Sequence, residues 1–167
     1  MGAKIKTKFD ITDKILGAAE ALDGVNLNVG VITGEHQWLA GIHEYGCKIP
    51  VTPKMRAYLH SIGVHLKLST TEIVIPERSF LRSGYDKNQK TILNHASRLL
   101  RDVMGGKMSA EKYLETVGTE VRDFIKDYAI ELSDPPKQPW PTRPEEFDNP
   151  LAMTGDMING IEYEIER

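Results

Sequence analysis

The 167-residue chain contains one cysteine, few aromatic residues (7%) and no long hydrophobic run. Because the single thiol of Cys47 cannot form an internal disulfide, the cysteine content gives no indication of an oxidising compartment. A membrane-spanning helix needs roughly 18–20 consecutive apolar residues, and no segment approaches that length. The N-terminal residues include lysines but lack the apolar stretch and cleavage site of a secretory signal. These absences predict a protein that is assembled in a cytoplasm and has no membrane partner.

The charges are distributed unevenly along the chain, although the net charge is only −3. Residues 48–101 contain ten Lys and Arg against three acids, a balance of +7, and residues 131–167 contain three against nine, a balance of −6. Each segment is either a solvated face or one of two complementary surfaces through which subunits associate. A sequence pI near 6.0 is unlike that of a dedicated nucleic-acid binder, so we expect no sequence-specific nucleic-acid partner.

The spacing of apolar residues near the N-terminus predicts one helix and two strands. The helix begins at Asp10, and Gly24 is its stop signal. The alternation in NLNVGVIT, residues 26–33, predicts the first strand. Residues Trp38 to Tyr45 are predicted to form a second strand that pairs antiparallel with the first.

Residues 49–75 are predicted to form an excursion from this framework. Thr52 caps a short helix whose first residue is Pro53, and residues 64–68 and 73–75 are predicted to form a hairpin after it. A loop of this length in a compact domain is usually functional or disordered. We therefore expect the excursion to project from the body or to be poorly ordered, unless its apolar stripe folds back as a satellite core. The stripe consists of Met55, Tyr58, Leu59 and Ile62.

Two long helices are predicted after the excursion. The first runs from Asp86 to Met104, with apolar residues on one face. The second begins at Ser109, a good cap, and its apolar stripe extends to Leu132. Each helix buries one side, so together they can cover one face of a small antiparallel sheet.

The C-terminal part of the chain changes in composition. Residues 135–150 contain six of the nine prolines and favour an extended conformation. Trp140 lies between two prolines there and is predicted to pin the segment to the body. The alternation in GIEYEIER predicts a final strand. We therefore predict one α+β domain over residues 1–167, with a small antiparallel sheet packed on two long helices and a projecting helix-plus-hairpin insertion.

The histidines and the cysteine form no established catalytic or metal-binding pattern. His43 and Glu44 lie in IHEYG, but the zinc pattern HExxH needs a histidine where Cys47 stands. His60 and His65 straddle a predicted helix end and are not expected to share a face. Phosphate-binding loops and the GxSxG nucleophile elbow are absent from the sequence. We predict no catalytic residue, no metal and no cofactor, with a small hydrolase or nuclease using His43 and Glu44 as the alternative and a host regulatory module as a second one.

Three segments stand out as a set: IHEYG at 42–46, IPERSFLR at 75–82 and NPLAMTGDMINGIEYEI at 149–165. In this order and spacing they resemble the tail-completion or neck proteins of long-tailed bacteriophages and prophages, often labelled minor tail component or head–tail joining protein. Ser79 stands where proline is common in that family, and Gly160 stands where serine is usual. The residues assigned to assembly are His43, Glu44, Tyr45, Gly46, Ile75, Pro76, Arg78, Phe80, Leu81, Arg82, Trp140, Pro150, Leu151, Thr154, Gly155, Met157, Ile161 and Tyr163. Arg82 directly follows the family pattern I-P-x-R-x-F-L and is not part of it.

The resemblance implies a structural virion protein of α+β fold that is not an enzyme. Such a protein completes the tail and joins it to the head by forming a ring at the neck, after assembly in the bacterial cytoplasm. The implied partners are other copies of the same chain, a head-closure or connector protein, and tail-terminator or tail-tube proteins. The 49–75 insertion is similar to a long insertion in many members of the family.

Two contacts and one mode of association are predicted from these segments. Phe80 is expected to pack into the core, and Arg78 to hold a carboxylate, with Glu44 as the first candidate. Subunits are expected to join head-to-tail, with the basic segment of one meeting the acidic segment of the next, because a heterologous contact that closes generates a ring. The apolar part of that contact is assigned to Leu151, Met153 and Met157.

Overall fold

The computed structural model of the protein describes residues 12–32, 34, 36–136, 149–151 and 155–167. These residues form an α+β fold, which confirms the predicted class. The elements in chain order are α1 (Thr12–Leu22), β1 (Asn26–Val31), α2 (His36–Tyr45), β2 (Cys47–Pro50), α3 (Pro53–Ser61), β3 (Glu72–Ile75), α4 (Phe80–Met104), α5 (Ala110–Glu131), α6 (Asp156–Asn159) and β4 (Ile161–Glu166).

Some predictions concern residues outside the described part of the chain. The predicted helix start at Asp10, the pinning role of Trp140, and the site residue Thr154 all lie there, together with most of the proline-rich segment. The same holds for Met153, one of the residues assigned to the subunit contact.

Side-chain caps begin two of the helices where the sequence places them. The hydroxyl of Thr52 accepts a hydrogen bond from the N–H of Met55 at 3.2 Å, and Pro53 is the first residue of α3. The hydroxyl of Ser109 accepts from the N–H of Lys112 at 3.1 Å at the start of α5. These bonds satisfy backbone donors that have no partner within the helix, and they confirm both predicted starts.

Helix α4 begins at Phe80, six residues before the predicted start at Asp86. The side chain of Ser79, at the cap position, makes no capping hydrogen bond. The first turn is stabilised instead by a carboxylate from α2, as described below. A cap that comes from a distant part of the chain leaves no local sequence signal, so the predicted start was too late.

Two antiparallel ladders make up the strand content of the described residues. β1 pairs with β4, so that Val31 stands opposite Ile161. β2 pairs with β3, so that Cys47 stands opposite Ile75. The ladders are two separate two-stranded sheets rather than the single small sheet predicted. The β1–β4 sheet packs mainly on α5.

The predicted second strand, Trp38 to Tyr45, is wrong, because these residues belong to helix α2. Ala40 and Glu44 are buried, and their four-residue spacing directs one helical face inward. The place beside β1 is taken by β4, more than a hundred residues further along the chain. Pairing over such a distance depends on the tertiary fold and leaves no local pattern.

The hairpin predicted within the insertion is also wrong. β3 pairs with β2, at the base of the insertion, and residues 64–68 form a loop. The guanidinium of Arg56 donates to three loop carbonyls, which holds the loop in a compact form rather than an extended one. The accepting oxygens are those of Leu66 at 3.2 Å, Lys67 at 2.9 Å and Thr70 at 2.7 Å.

The apolar stripe of α3 is divided between a small local core and the surface. Leu59 is buried together with Val64, whereas Tyr58 is 64% exposed and Ile62 is 37% exposed. α3 has at most slight contact with any other described helix or strand. Both interpretations of the stripe therefore hold in part, because the insertion projects from the body and carries its own satellite core.

The main core lies between α4, α5 and the β1–β4 sheet, with α2 and α6 packed at one end. Phe80 and Ile161 are its largest fully buried side chains, which confirms the predicted burial of Phe80. Within the described ranges, no helix is both long enough and apolar enough to span a membrane. Buried core residues include Val31, Ala40, Ile92, Leu99, Val117, Val121, Ile125, Ala129, Leu151, Met157 and Ile158.

Candidate functional site

The first two motifs meet where the end of α2 contacts the start of α4. Glu44 lies in the last turn of α2 and is only 2% exposed. Its Oε2 accepts a hydrogen bond from the N–H of Leu81 at 2.9 Å, and its Oε1 accepts from the N–H of Arg82 at 3.1 Å. The carboxylate therefore caps α4, where unpaired N–H groups and the helix dipole favour a negative charge.

Arg82 completes this cap with its side chain. Its Nε donates to Glu44 Oε1 at 2.8 Å, and its Nη2 donates to the Glu44 carbonyl oxygen at 2.9 Å and to Glu77 Oε1 at 2.8 Å. The guanidinium carbon lies 4.7 Å from the centre of the Tyr45 ring, a cation–π distance. The hydrogen bonds to Glu44 and Glu77 raise the pKa of Arg82 above its ordinary value. One arginine thus connects the end of α2, the segment before α4 and the first turn of α4.

Gly46 allows the two motifs to approach each other this closely. Its φ of +70° lies in the left-handed region that favours glycine. A Cβ at this position would lie 2.9 Å from the backbone nitrogen of Glu77 and 3.0 Å from the carbonyl oxygen of Ile75. The N–H of Arg78 donates to the carbonyl oxygen of His43 at 2.7 Å in the same contact. Both the turn and the packing therefore require glycine.

Arg78 does not pair with Glu44, so the first candidate for the carboxylate that it was expected to hold is wrong. Its side chain is buried, with 5% exposed, and it binds the chain that follows α5. Nε donates to the carbonyl oxygen of Pro135 at 2.8 Å, and Nη2 donates to that of Pro136 at 3.0 Å. The ion-pair partner of Glu44 is Arg82, four residues further along. Because α4 begins at Phe80, Arg78 and Arg82 point to different partners.

Replacement of Arg78 by lysine is expected to lower the free energy of unfolding by about 1–3 kcal/mol. A single ammonium group cannot reproduce the planar fork that serves two carbonyl oxygens, and Arg78 is buried. Urea denaturation measures the change. Arg98→Lys, on the exposed side of α4, is the matched control and is expected to change stability by less than about 0.5 kcal/mol. Equal midpoints for the two variants would contradict the assigned role.

The C-terminal motif packs on α5 and, through α6, on α2. Asn149 Nδ2 donates to the carbonyl oxygens of Ala129 and Ile130 at 2.8 and 2.7 Å, which satisfies acceptors in the last turn of α5. Asn149 Oδ1 accepts from the N–H of Leu151 at 2.7 Å, an Asx turn. Residues of this motif that are buried are Pro150, Leu151, Met157, Ile158 and Ile161.

Tyr163 fixes β4 against α5 through a contact with a glycine. A Cβ on Gly118 would lie 2.6 Å from Cδ2 of the Tyr163 ring, so the ring occupies the space that any other residue there would need. The Arg122 guanidinium lies 5.9 Å from the centre of that ring and forms an ion pair with Glu162. Gly155, with φ of +81°, precedes α6 in the same motif.

The motif residues therefore act as structural connections between elements. Both oxygens of Glu44 accept hydrogen bonds and its side chain is buried, so it is committed to the α4 cap rather than available to a substrate. Asn149 and Gly118 belong to the same connections but were not predicted as site residues. The sequence signal for Asn149 was the Asn-Pro pair that ends the proline-rich segment, and the signal for Gly118 was an isolated glycine within a periodic helix.

No group of three or more His, Cys, Asp or Glu side chains within the described ranges is arranged to hold a metal ion. Comparison of the chain with protein-family models, with curated proteins and with solved structures finds no match in any of the three.

Proposed function

We propose that the protein is a structural component of a long-tailed bacteriophage or prophage, which completes the tail and joins it to the head as a ring at the neck. The observation that carries this proposal is the contact between the first two motifs, where Glu44, Arg82 and Gly46 connect α2 to α4. The two motifs that suggested the family from their order in the sequence are thus the motifs that hold α2 and α4 together. A rigid joint of this kind suits a subunit that bears load within a particle.

Exposed apolar side chains outside the core support a role in assembly. Trp38 is 74% exposed and Tyr45 is 69% exposed, and their seven-residue spacing places both on one face of α2. In the insertion, Leu68 is 93% exposed. Leu151 and Met157, which were predicted to supply the apolar part of a subunit contact, are buried within the subunit instead. The exposed apolar residues of α2 and of the insertion are therefore proposed to form the apolar part of the subunit contact.

The charged residues proposed for the head-to-tail contact between subunits also have to be replaced by others. Arg78 is buried, Arg82 is paired within the joint, and Lys87 pairs with Glu131 of its own subunit at 3.4 Å. Glu162 is likewise engaged, with Arg122 and Lys126. The exposed charges that support a contact between subunits are Lys48, Lys54 and Lys67 around the insertion, and Glu164 and Glu166 on β4.

The head-to-tail contact is tested by charge reversal at these exposed positions. One preparation carries Lys→Glu changes at 48, 54 and 67, and the other carries Lys replacements of Glu164 and Glu166. Each alone is expected to join at least tenfold fewer heads and tails than the unchanged protein, and a mixture of the two is expected to recover part of the loss. Reversal of Lys14 on α1 and Lys90 on α4, which are exposed and lie outside the insertion, is the control and should leave joining unchanged. Normal joining by both preparations would contradict the charge contact.

The function itself is tested by negative-stain imaging of the purified protein with and without tail tubes from the same phage. Rings at the tube ends support the proposal, and tubes that stay bare oppose it. The alternative is a hydrolase or nuclease that uses His43 and Glu44, and it has less support because Glu44 is buried and fully engaged. Cleavage of nucleic acid or peptide that is lost in His43→Ala would favour that alternative.

A further inference from the structure

His60 and His65 form a close pair at the end of α3, which overturns the expectation that they do not share a face. Their Nδ1 atoms are 2.7 Å apart, and their ring centres are 4.5 Å apart. Both side chains are exposed, and both line a groove between α3 and the loop at 64–68. In a regular helix, two residues five positions apart point to different faces. The close approach of His60 and His65 therefore depends on how α3 ends.

The helix stop positions this pair through the backbone. Gly63 has φ of +86° and reverses the chain after α3. The N–H of Val64 donates to the carbonyl oxygen of Leu59 at 2.8 Å, and the N–H of Gly63 donates to that of His60 at 3.1 Å. This is the Schellman pattern, and the burial of Leu59 and Val64 supplies the apolar contact that accompanies it. His65 is the next residue, so the stop places it beside His60.

The loop after the pair is also held. Arg56 donates to carbonyl oxygens at 66, 67 and 70, so the chain on the far side of His65 is fixed to α3. Ligands whose backbone is held on both sides lose little freedom when they bind an ion, which favours binding.

We propose that His60 and His65 bind one divalent transition-metal ion of the Cu²⁺ or Ni²⁺ kind through their Nδ1 atoms, with solvent completing its coordination. Imidazole nitrogen suits these ions, and Cu²⁺ binds most strongly among first-row divalent metals. Two nitrogens at about 2.0 Å from a metal in neighbouring square-planar positions are about 2.8 Å apart, whereas tetrahedral positions separate them by about 3.3 Å. In the structure the two Nδ1 atoms share a hydrogen bond at 2.7 Å. Rotation of the exposed rings, with the shared proton moved to Nε2, directs both lone pairs to one ion, and neighbouring square-planar positions require less separation of the nitrogens than tetrahedral ones.

The surroundings select against hard cations. Arg56 is the only Arg, Lys, Asp or Glu among the described residues that line the groove, so no carboxylate is present there. Mg²⁺ and Ca²⁺ require oxygen ligands, and carboxylates above all. The site therefore accepts an ion that forms strong bonds to neutral nitrogen despite a nearby positive charge.

Titration of the untagged full-length protein with CuCl₂, followed by calorimetry, tests the proposal. We expect one tight Cu²⁺ per chain, and at least tenfold weaker binding for His60→Ala and for His65→Gln. The electron paramagnetic resonance spectrum of bound Cu²⁺ should show coupling to two imidazole nitrogens, and to one in either variant. MgCl₂ should give no binding heat.

His36→Gln removes one imidazole from α2 and is the matched control, with unchanged Cu²⁺ affinity expected. Circular dichroism of each variant establishes that α3 and the rest of the fold persist. If the unchanged protein binds Cu²⁺ no more tightly than His60→Ala, or the spectrum shows fewer than two imidazole nitrogens, the pair is a hydrogen bond alone and the proposal is wrong. Metal binding by this pair and the proposed neck function are independent of each other.

Discussion

Replacement of Glu44 by alanine is expected to lower the free energy of unfolding by about 2–3 kcal/mol, the largest effect of any single polar substitution in the joint. The change removes the acceptor for the N–H groups of Leu81 and Arg82 and for the Nε of Arg82, at a position only 2% exposed. The two backbone N–H groups lie in the first turn of α4, where no carbonyl of the helix can replace the lost acceptor, and they are only partly accessible to water. Urea denaturation followed by circular dichroism measures the change.

Glu77→Ala is the matched control, because Glu77 contacts the same guanidinium at the same 2.8 Å but is exposed. Solvent screens that ion pair, so its loss is expected to cost at most about 1 kcal/mol. Glu44→Gln keeps the side-chain shape and should fall between the two. If Glu44→Ala costs no more than Glu77→Ala, the α4 cap does not contribute in the way described.

Replacement of Gly118 by alanine is expected to destabilise the protein by about 2–3 kcal/mol, although alanine is the better helix former. The added Cβ would lie 2.6 Å from the Tyr163 ring and 3.1 Å from Cδ1 of Leu27. Both neighbours belong to the β1–β4 ladder, so they cannot both retreat without disturbing the pairing of the strands. Thermal and urea denaturation provide the measurement.

Gly41→Ala is the same substitution at another helical position, and there it is expected to stabilise the protein. Gly41 lies within α2, and a Cβ there would meet nothing within 4 Å. Its replacement should raise stability by about 0.5–1 kcal/mol, because alanine reduces the backbone entropy lost on folding.

Combination of Gly118→Ala with Tyr163→Leu should recover part of the stability that Gly118→Ala loses, because the smaller side chain leaves room for the added Cβ. Additive effects of the two substitutions would contradict a direct clash.

Local signals predicted the elements that are stabilised locally. The caps at Thr52 and Ser109 and the alternation of β4 each depend on residues within a few positions of one another. Helix α2 and the start of α4 were missed because each depends on the other. Glu44 in α2 caps α4, and the burial of Glu44 in turn directs one face of α2 inward.

The sequence predicted which residues belong to the candidate site, but it did not predict which of them contact each other. The motifs placed Glu44 near an arginine of IPERSFLR, yet the choice of Arg78 assumed an extended segment. Helix α4 starts within that segment, so Arg82 faces Glu44 and Arg78 faces the chain after α5. Which arginine pairs with Glu44 is fixed by where the helix begins, and that start is itself set by Glu44.

The ladder at the base of the insertion has a consequence for how this protein can vary. Pro50 stands opposite Glu72, and the N–H of Val51 donates to the carbonyl oxygen of Thr71 at 2.8 Å, so the two ends of the intervening stretch are neighbours. A short turn could join the same ends. We therefore expect that the residues between them can be shortened, lengthened or replaced while the body keeps its architecture.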